Sequence, residues 1–263
     1  MDVTGNIEIE RLISEMLSEV AEQLRDPLST VFECLGVGTA TNDAVPPLAR
    51  KSYYRLLRII GNMSAAENLS NPCKISCADV DLAELCGELC ESLAPALEIE
   101  QGVALEFLCA KERLVLACER TMMERLLLNL FSNSAKFTPR GGRITVELKD
   151  EKPNAILSVT DTGCGIPPER LERLFSHYAQ TGEEPRPHEG LGLGLPICRR
   201  IAEGHGGRIF VESGAGGTKV TVAIPNRRSG IHNVEEPAFD YAGGYNHVLM
   251  EMSDVLGSEN YEI

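Results

Sequence analysis

Asn129, Asn133 and Lys136 stand four and three residues apart in a segment otherwise dominated by Met122, Met123, Leu126, Leu127, Leu130 and Phe131. At about 100° per residue a helix gathers the three within roughly 60° of one another, with Arg125 adjoining. Polar groups on so apolar a helix must find partners, because a buried amide or ammonium left unpaired costs a few kcal/mol. Amide oxygens suit a hard cation such as Mg²⁺, which keeps several waters and takes few protein ligands. The lysine suits phosphate as a point charge. A polar stripe at a domain interface accounts for the same pattern without a ligand.

Three further strings follow. Asp161-Thr-Gly163-Cys-Gly165 comes directly after the apolar run Ala155–Thr160 and before Ile166. A carboxylate at a strand end can accept a hydrogen bond from an exocyclic amine, and glycines let the backbone come close to a ligand. An ordinary Asp-Gly turn reads the same way. Gly190-Leu191-Gly192-Leu193-Gly194-Leu195 runs into a helix that begins at Pro196, whose missing N–H costs nothing in a first turn. Glycines before a helix N-terminus make a cradle of backbone amides for phosphate. Leu195 breaks the G-x-G-x-x-G dinucleotide pattern and no G-K-[ST] occurs, so neither of those phosphate loops is present. Gly216-Gly217-Thr218 completes the set.

The elements that must position these strings read as follows. Ile9, Leu12, Met16, Val20, Leu24, Leu28, Val31 and Leu35 recur at three- and four-residue steps, which predicts a long amphipathic helix over 7–35, bent or broken at Pro27. A loop precedes a second helix over 48–69. A linker over 68–79 leads to a helix over 80–97, strands over 103–108 and 114–117, and the motif helix over 120–137. Strands over 143–149 and 155–160, a loop-rich stretch, a helix over 196–203 and strands over 208–212 and 219–224 follow. This order predicts an α+β fold, a two-layer α/β sandwich preceded by a helical hairpin. Two long helices cannot bury both stripes alone, so the hairpin predicts a homodimer with a four-helix bundle. The domains are then 1–70, 71–226 and an acidic tail over 227–263, to which the pattern assigns no role.

With 263 residues, 43% hydrophobic and 24% charged, the composition is globular. A net charge of −14 argues against nucleic acid and anionic membrane as partners, since both need clustered Lys/Arg. No apolar run approaches the ~18 residues of a membrane span, and the acidic N-terminus is unlike a secretory signal; both predict a cytoplasmic protein. Nine cysteines include the pairs Cys73/Cys77 and Cys86/Cys90. They lack the tighter knuckle spacing and neighbouring histidines of a zinc site and read mainly as reduced thiols packing as small hydrophobes.

Taken together, the four strings in this order resemble the ATP-binding domain of sensor histidine kinases, the Bergerat-type fold shared with gyrase and MutL. The resemblance implies ATP and Mg²⁺ as cofactors. It implies nucleotide contacts at Asn129, Asn133, Lys136, Asp161, Gly163, Gly165, Ile166, Gly190, Leu191, Gly192, Leu193, Gly194, Leu195 and Thr218, with Asn133 as the magnesium ligand and Asp161 reading the adenine. Asn129 stands where gyrase-like relatives place a general-base glutamate, so hydrolysis is expected to be slow. The loop 176–189 corresponds to the family's ATP lid, with Leu174, Phe175 and Tyr178 at its base. Gln180 replaces a basic residue often found there, and Arg186 is a candidate substitute. His205 matches a structural position.

Residues 22–28, Glu-Gln-Leu-Arg-Asp-Pro-Leu, resemble the family's phosphoacceptor box His-Glu-Leu-Arg-Thr-Pro-Leu. The positions that shape the helix match, whereas Glu22, Gln23 and Asp26 replace the nucleophilic histidine, its neighbouring glutamate and the threonine. A phosphoramidate needs an imidazole nitrogen, so self-phosphorylation at Glu22 is not expected. Glu22 is then a surface glutamate, or a fixed charge imitating phosphohistidine. Three readings stay open. The first is an ATP phosphotransferase of a two-component pathway acting on a partner's histidine. The second is a nucleotide-binding pseudokinase regulating a partner kinase or response regulator. The third is a slow ATPase switch.

Overall fold

The computed structural model describes residues 20, 23–31, 46–67, 75–171, 174, 192–230 and 245–262. Glu22, Cys73, Phe175, Tyr178, the lid segment 176–189, Gly190 and Leu191 lie outside these residues. Residues 23–31 are helical (α1) straight through Pro27, which is buried, so no break occurs at the proline. The Thr30 hydroxyl donates to the Asp26 carbonyl at 2.9 Å. Helix α2 spans Pro47–Glu67.

The predicted linker ends in a strand, β1 (Ala78–Asp81), which pairs antiparallel with β3 (Val115–Cys118). The helix expected from residue 80 therefore starts two residues later, as α3 (Leu82–Ala96). Asp81 is the reason: its side chain accepts from the Ala83 and Glu84 amides and caps the helix. The same carboxylate takes the Leu114 amide at 3.0 Å and the Arg113 guanidinium at 2.8 Å, tying cap to strand. A π-turn over Leu97–Gln101 prolongs α3.

The main sheet has the order β2-β4-β5-β7-β6. Its strands are β2 (Ala104–Cys109), β4 (Arg143–Glu151), β5 (Asn154–Asp161), β6 (Arg208–Gly214) and β7 (Gly217–Pro225). Only β2–β4 is parallel. Alternation along the strands turns Ile144, Val146, Leu148, Leu157, Val159, Val222 and Ile224 to one face. Helices α4 (Arg120–Phe137) and α6 (Gly194–Gly204) cover that face with α3, making the second layer and a single core. Cys86, Cys90, Cys118 and Cys198 sit inside this core, where burial pushes the Cys90 thiol up to about 12. A short helix α5 (Pro168–Leu171) follows the Asp161 string. The tail, to which sequence patterning assigns no role, carries α7 (His247–Glu251) and a 3₁₀ turn over Ser258–Tyr261. Met252, Val255, Leu256 and Tyr261 join the domain core.

His205 ends α6 and locks it to the start of α4. The Glu119 amide donates to Nε2 at 3.0 Å, so Nδ1 must carry the proton and donate to the Ile201 carbonyl at 2.7 Å. Protonation would set an N–H against an N–H, and burial holds the imidazole below its ordinary pKa. The unfolded chain therefore takes up a proton, near pH 6.5, before the folded one does. The contribution is complete above that pH and fades as pH falls through it. Unfolding by denaturant is expected to show falling stability between about pH 7 and 5, and His205→Gln to flatten that slope; an unchanged slope counts against the assignment.

Candidate nucleotide-binding site

Helix α4 starts from a carboxylate cap: Glu119 accepts from the Thr121 and Met122 amides at 3.0 and 2.7 Å. That cap suits the positive end of the helix. Between the sheet on one side and α2, α6 and the tail on the other, α4 is buried almost all round. Its polar stripe therefore faces a cavity of about 750 Å³, bordered by Asn129, Asn133, Ser134 and Lys136. From other elements come Asp161, Gly165, Ile166, Gly192, Leu193, Gly194, Leu195 and Thr218. All four strings, far apart in sequence, thus meet at one cavity. Gly163 borders a smaller neighbouring hollow with Phe137 and Thr138.

Asp161, the last residue of β5, is 7% exposed. Its Oδ1 accepts from the Gly163 amide at 2.9 Å and the Thr218 amide at 3.1 Å. These two bonds fix the carboxylate plane. Among the described residues Oδ2 receives a long 3.4 Å bond from the Ser134 hydroxyl and no other, which leaves it able to accept from a ligand donor. Burial raises the Asp161 pKa, opposed by the three hydrogen bonds. The second turn is equally determined. The Ile166 amide donates to Ser213 Oγ at 2.8 Å, and that hydroxyl is 2.8 Å from Thr218 Oγ1.

The glycines of this string serve packing first. Gly165 has φ +71°, and a Cβ there would collide with the Gly214 carbonyl. Gly194 opens α6 with its α-carbon against both asparagines: a Cβ would lie 3.1 Å from Asn129 Oδ1 and 3.4 Å from Asn133 Nδ2. No side chain caps this helix, so its first amides remain available to an anion.

Whether a hard cation suits these residues turns on the asparagines. Asn129 is fully buried and spends its Nδ2 on the Arg125 carbonyl at 3.0 Å, while its Oδ1 has no hydrogen-bond partner among the described residues. An amide oxygen left over beside a second asparagine fits Mg²⁺ with its waters, while the nearby N-terminus of α6 suits the anion such a cation would accompany. Among the described residues no cluster of three His, Cys, Asp or Glu forms an all-protein metal cage.

Sequence reasoning missed the cationic wall and its counter-charges. Arg55 and Arg58 of α2 border the same cavity, as do Gln23 of α1 and Ser253 and Asp254 of the tail. Lys136 donates to Asp254 at 2.6 Å. Arg58 donates to Asp254 at 2.7 Å, to Glu251 at 3.1 Å and to Ser132 at 3.1 Å. Glu251 also lies 3.2 Å from Arg125 Nε and is wholly buried. Burial lowers the Lys136 pKa, as does Arg58, whereas Asp254 supports its charge. Burial opposes ionisation of Asp254, but Arg58, Lys136 and Arg55 outweigh it and hold the carboxyl far below its usual range. The available signal was the phasing of Met250, Met252, Val255 and Leu256 around two carboxylates in the tail.

Comparison with known proteins agrees with this geometry. The family of histidine kinase-, DNA gyrase B- and HSP90-like ATPases matches residues 118–228. The histidine protein kinase DivJ of Caulobacter vibrioides is 42% identical over 125 residues, 47% of this chain and 21% of that one. An uncharacterized sensor-like histidine kinase of Rhizobium meliloti is 30% identical over 234 residues, 82% of this chain and 43% of its own. The chain thus spans less than half the length of these relatives. The catalytic domain of histidine kinase ThkA superposes with a TM-score of 0.52 at 28% identity, covering 58% of this chain and 97% of that one.

The packing predicts that Gly165→Ala loses at least ~2 kcal/mol of stability, from strain at positive φ and from the collision. Chemical denaturation measures it, and a change below about 0.5 kcal/mol rejects the packing argument.

Proposed function

We propose that this chain, which belongs to the sensor histidine kinase family, binds Mg-ATP in the α4 cavity and acts in two-component signal transduction. The observation that carries the reading is the held but under-used Asp161 carboxylate. Oδ1 is fixed by two backbone amides, and Asp161 borders the cavity with Ile166 and Thr218. An adenine amine is the donor it suits. Gly163 and Gly165 shape the turn below it. Lys136 and the uncapped amides of the Gly192–Leu195 stretch would receive the polyphosphate, with Gly190 and Leu191 continuing that loop. Asn133, with Asn129, would hold Mg²⁺, which supplies charge compensation that an acidic chain needs around a polyphosphate.

The destination of the phosphate is the less ordinary part. Gln23 of the altered acceptor box borders the cavity, and the sequence carries a glutamate at position 22 in place of a histidine. Transfer then goes to a partner, a response regulator or another kinase, and the hairpin pairs with a second copy of the chain. The pseudokinase reading draws support from Asp254, whose carboxylate already neutralises Lys136. No helix among the described residues is long and apolar enough to cross a membrane; we place the domain in the cytoplasm, where ATP is supplied.

Calorimetric titration of Mg-ATP tests the site. Asp161→Asn, which loses a charge-assisted acceptor, is expected to weaken binding by about tenfold or more. Asn133→Ala should weaken it comparably with magnesium present and little in EDTA. Unchanged affinity in both variants removes the assignment. Incubation with γ-labelled ATP tests the chemistry: label is expected on an added partner and not on this chain. Acid-labile, base-stable label on the chain alone rejects the substitution argument.

A further inference from the structure

The C-terminal segment is built as a strap between the hairpin and the ATP-binding layer. Asn246 caps α7 by accepting from the Leu249 amide at 3.0 Å. The Tyr261 hydroxyl donates back to the Leu249 carbonyl at 2.8 Å, which closes the strap on itself. On the domain side, Gln101 donates to the Val255 carbonyl at 3.0 Å, and Glu100 accepts from Gly257 and Asn260 at 2.5 Å each. On the hairpin side, Tyr54 packs against Tyr245 and Tyr261 with ring centroids 6.0 and 5.5 Å apart. Arg50 reaches the Tyr261 carbonyl at 3.3 Å.

At its centre the strap presents two carboxylates of different character. Glu251 is wholly buried between Arg58 and Arg125 and is not among the residues lining the cavity. Asp254 keeps 19% of its side chain exposed and lies at the cavity wall. Three cations converge on it: Lys136 at 2.6 Å, Arg58 at 2.7 Å and Arg55 at 3.0 Å. A carboxylate held by a lysine and two guanidiniums occupies an environment that a phosphate oxygen would equally satisfy. Lys136 lies on the same stripe as Asn133, one turn of helix further on, so an anion entering along the asparagines reaches it. Lys136 carries a single positive charge at one buried point, so a phosphate oxygen arriving there competes with the Asp254 carboxylate for it.

We propose that Asp254 is an internal competitor for the polyphosphate subsite: phosphate bound at Lys136 displaces the Asp254 carboxylate, and the strap then loosens its hold on Arg55 and Arg58 of α2. The inference rests on the nucleotide reading of the cavity. It makes nucleotide binding and the grip on the hairpin mutually exclusive at one lysine, with Glu251 keeping the strap seated on α4. Nucleotide affinity is accordingly lower than the cavity alone would give, because each binding event breaks an existing ion pair.

Three probes separate the two ideas: Mg-ATP, adenosine and inorganic tripolyphosphate. In the unmodified chain, hydrogen exchange at the amides of 253–261 is expected to quicken with Mg-ATP and with tripolyphosphate, and to stay unchanged with adenosine. Asp254→Asn is expected to tighten Mg-ATP and tripolyphosphate by about tenfold and to leave adenosine affinity alone. If Mg-ATP binds but exchange in 253–261 stays constant or slows, the competition is overturned and the nucleotide site stands. Equal or weaker polyphosphate affinity in a folded Asp254→Asn overturns it too. If that variant does not fold, the exchange measurement on the unmodified chain decides. If neither adenine-bearing probe binds, the nucleotide reading falls, and tripolyphosphate alone decides whether Lys136 and Asp254 part; failure to bind it rejects the competition as well.

Discussion

The structure depends on how the polar stripe of α4 is satisfied. Arg125, Asn129, Ser132 and Lys136 follow one another at four-, three- and four-residue steps on a helix buried on nearly every side. Two of these side chains are cations, and an uncompensated cation in such a place costs several kcal/mol. The molecule answers from two directions. Helix α2 brings Arg58 to the Ser132 hydroxyl, and the Asn62 side chain and Gly61 carbonyl to Arg125 at 3.0 and 3.2 Å. The tail brings Glu251 and Asp254. The hairpin helix, the ATP-binding layer and the C-terminus are held together by the need to neutralise one helix face. A buried ion network of this kind adds little net stability over an apolar core; what it fixes is the relative position of three pieces of chain.

That constraint explains which parts were legible from sequence. The five sheet strands and α4 follow from alternation and period, because their apolar faces meet a single core. Three of the four strings show a glycine or carboxylate suited to a turn, and the first shows a polar stripe on an apolar helix, so they could be assigned to one site. Gly165 shows this most plainly, since its positive φ and the Gly214 carbonyl exclude any side chain. What sequence patterning could not give was long-range polar pairing. Asp254 and Lys136 are 118 residues apart, and no local period links them. β1 was lost for a related reason: its four residues, Ala-Asp-Val-Asp, hold too little apolar alternation to show a strand that exists by pairing with β3. At Pro27 the helix does not break. The proline's cost to a helix is local, and tertiary burial of the ring outweighs it.

The same polar accounting separates the roles of the two asparagines. Asn129 is committed on its nitrogen side to the Arg125 carbonyl and keeps an unpaired oxygen in the interior. An amide there cannot remove a proton from water, whereas it can complete the shell of a hydrated cation. On the proposed reading, an asparagine in place of a base favours holding a nucleotide over hydrolysing it.

Electrostatics also decides what the tail can be. The chain carries a net charge of −14, so an acidic segment gains nothing by lying on the average surface of this protein. It settles where Arg55, Arg58, Arg125 and Lys136 concentrate positive charge, and a polyphosphate would be drawn to the same place. Two anions sharing one cationic wall are coupled whatever their covalent origin, and the coupling is reciprocal. A nucleotide that weakens the strap must be weakened by it in equal measure. The hairpin helix takes part through Arg55 and Arg58, so its position and the occupancy of the cavity are two readings of one equilibrium.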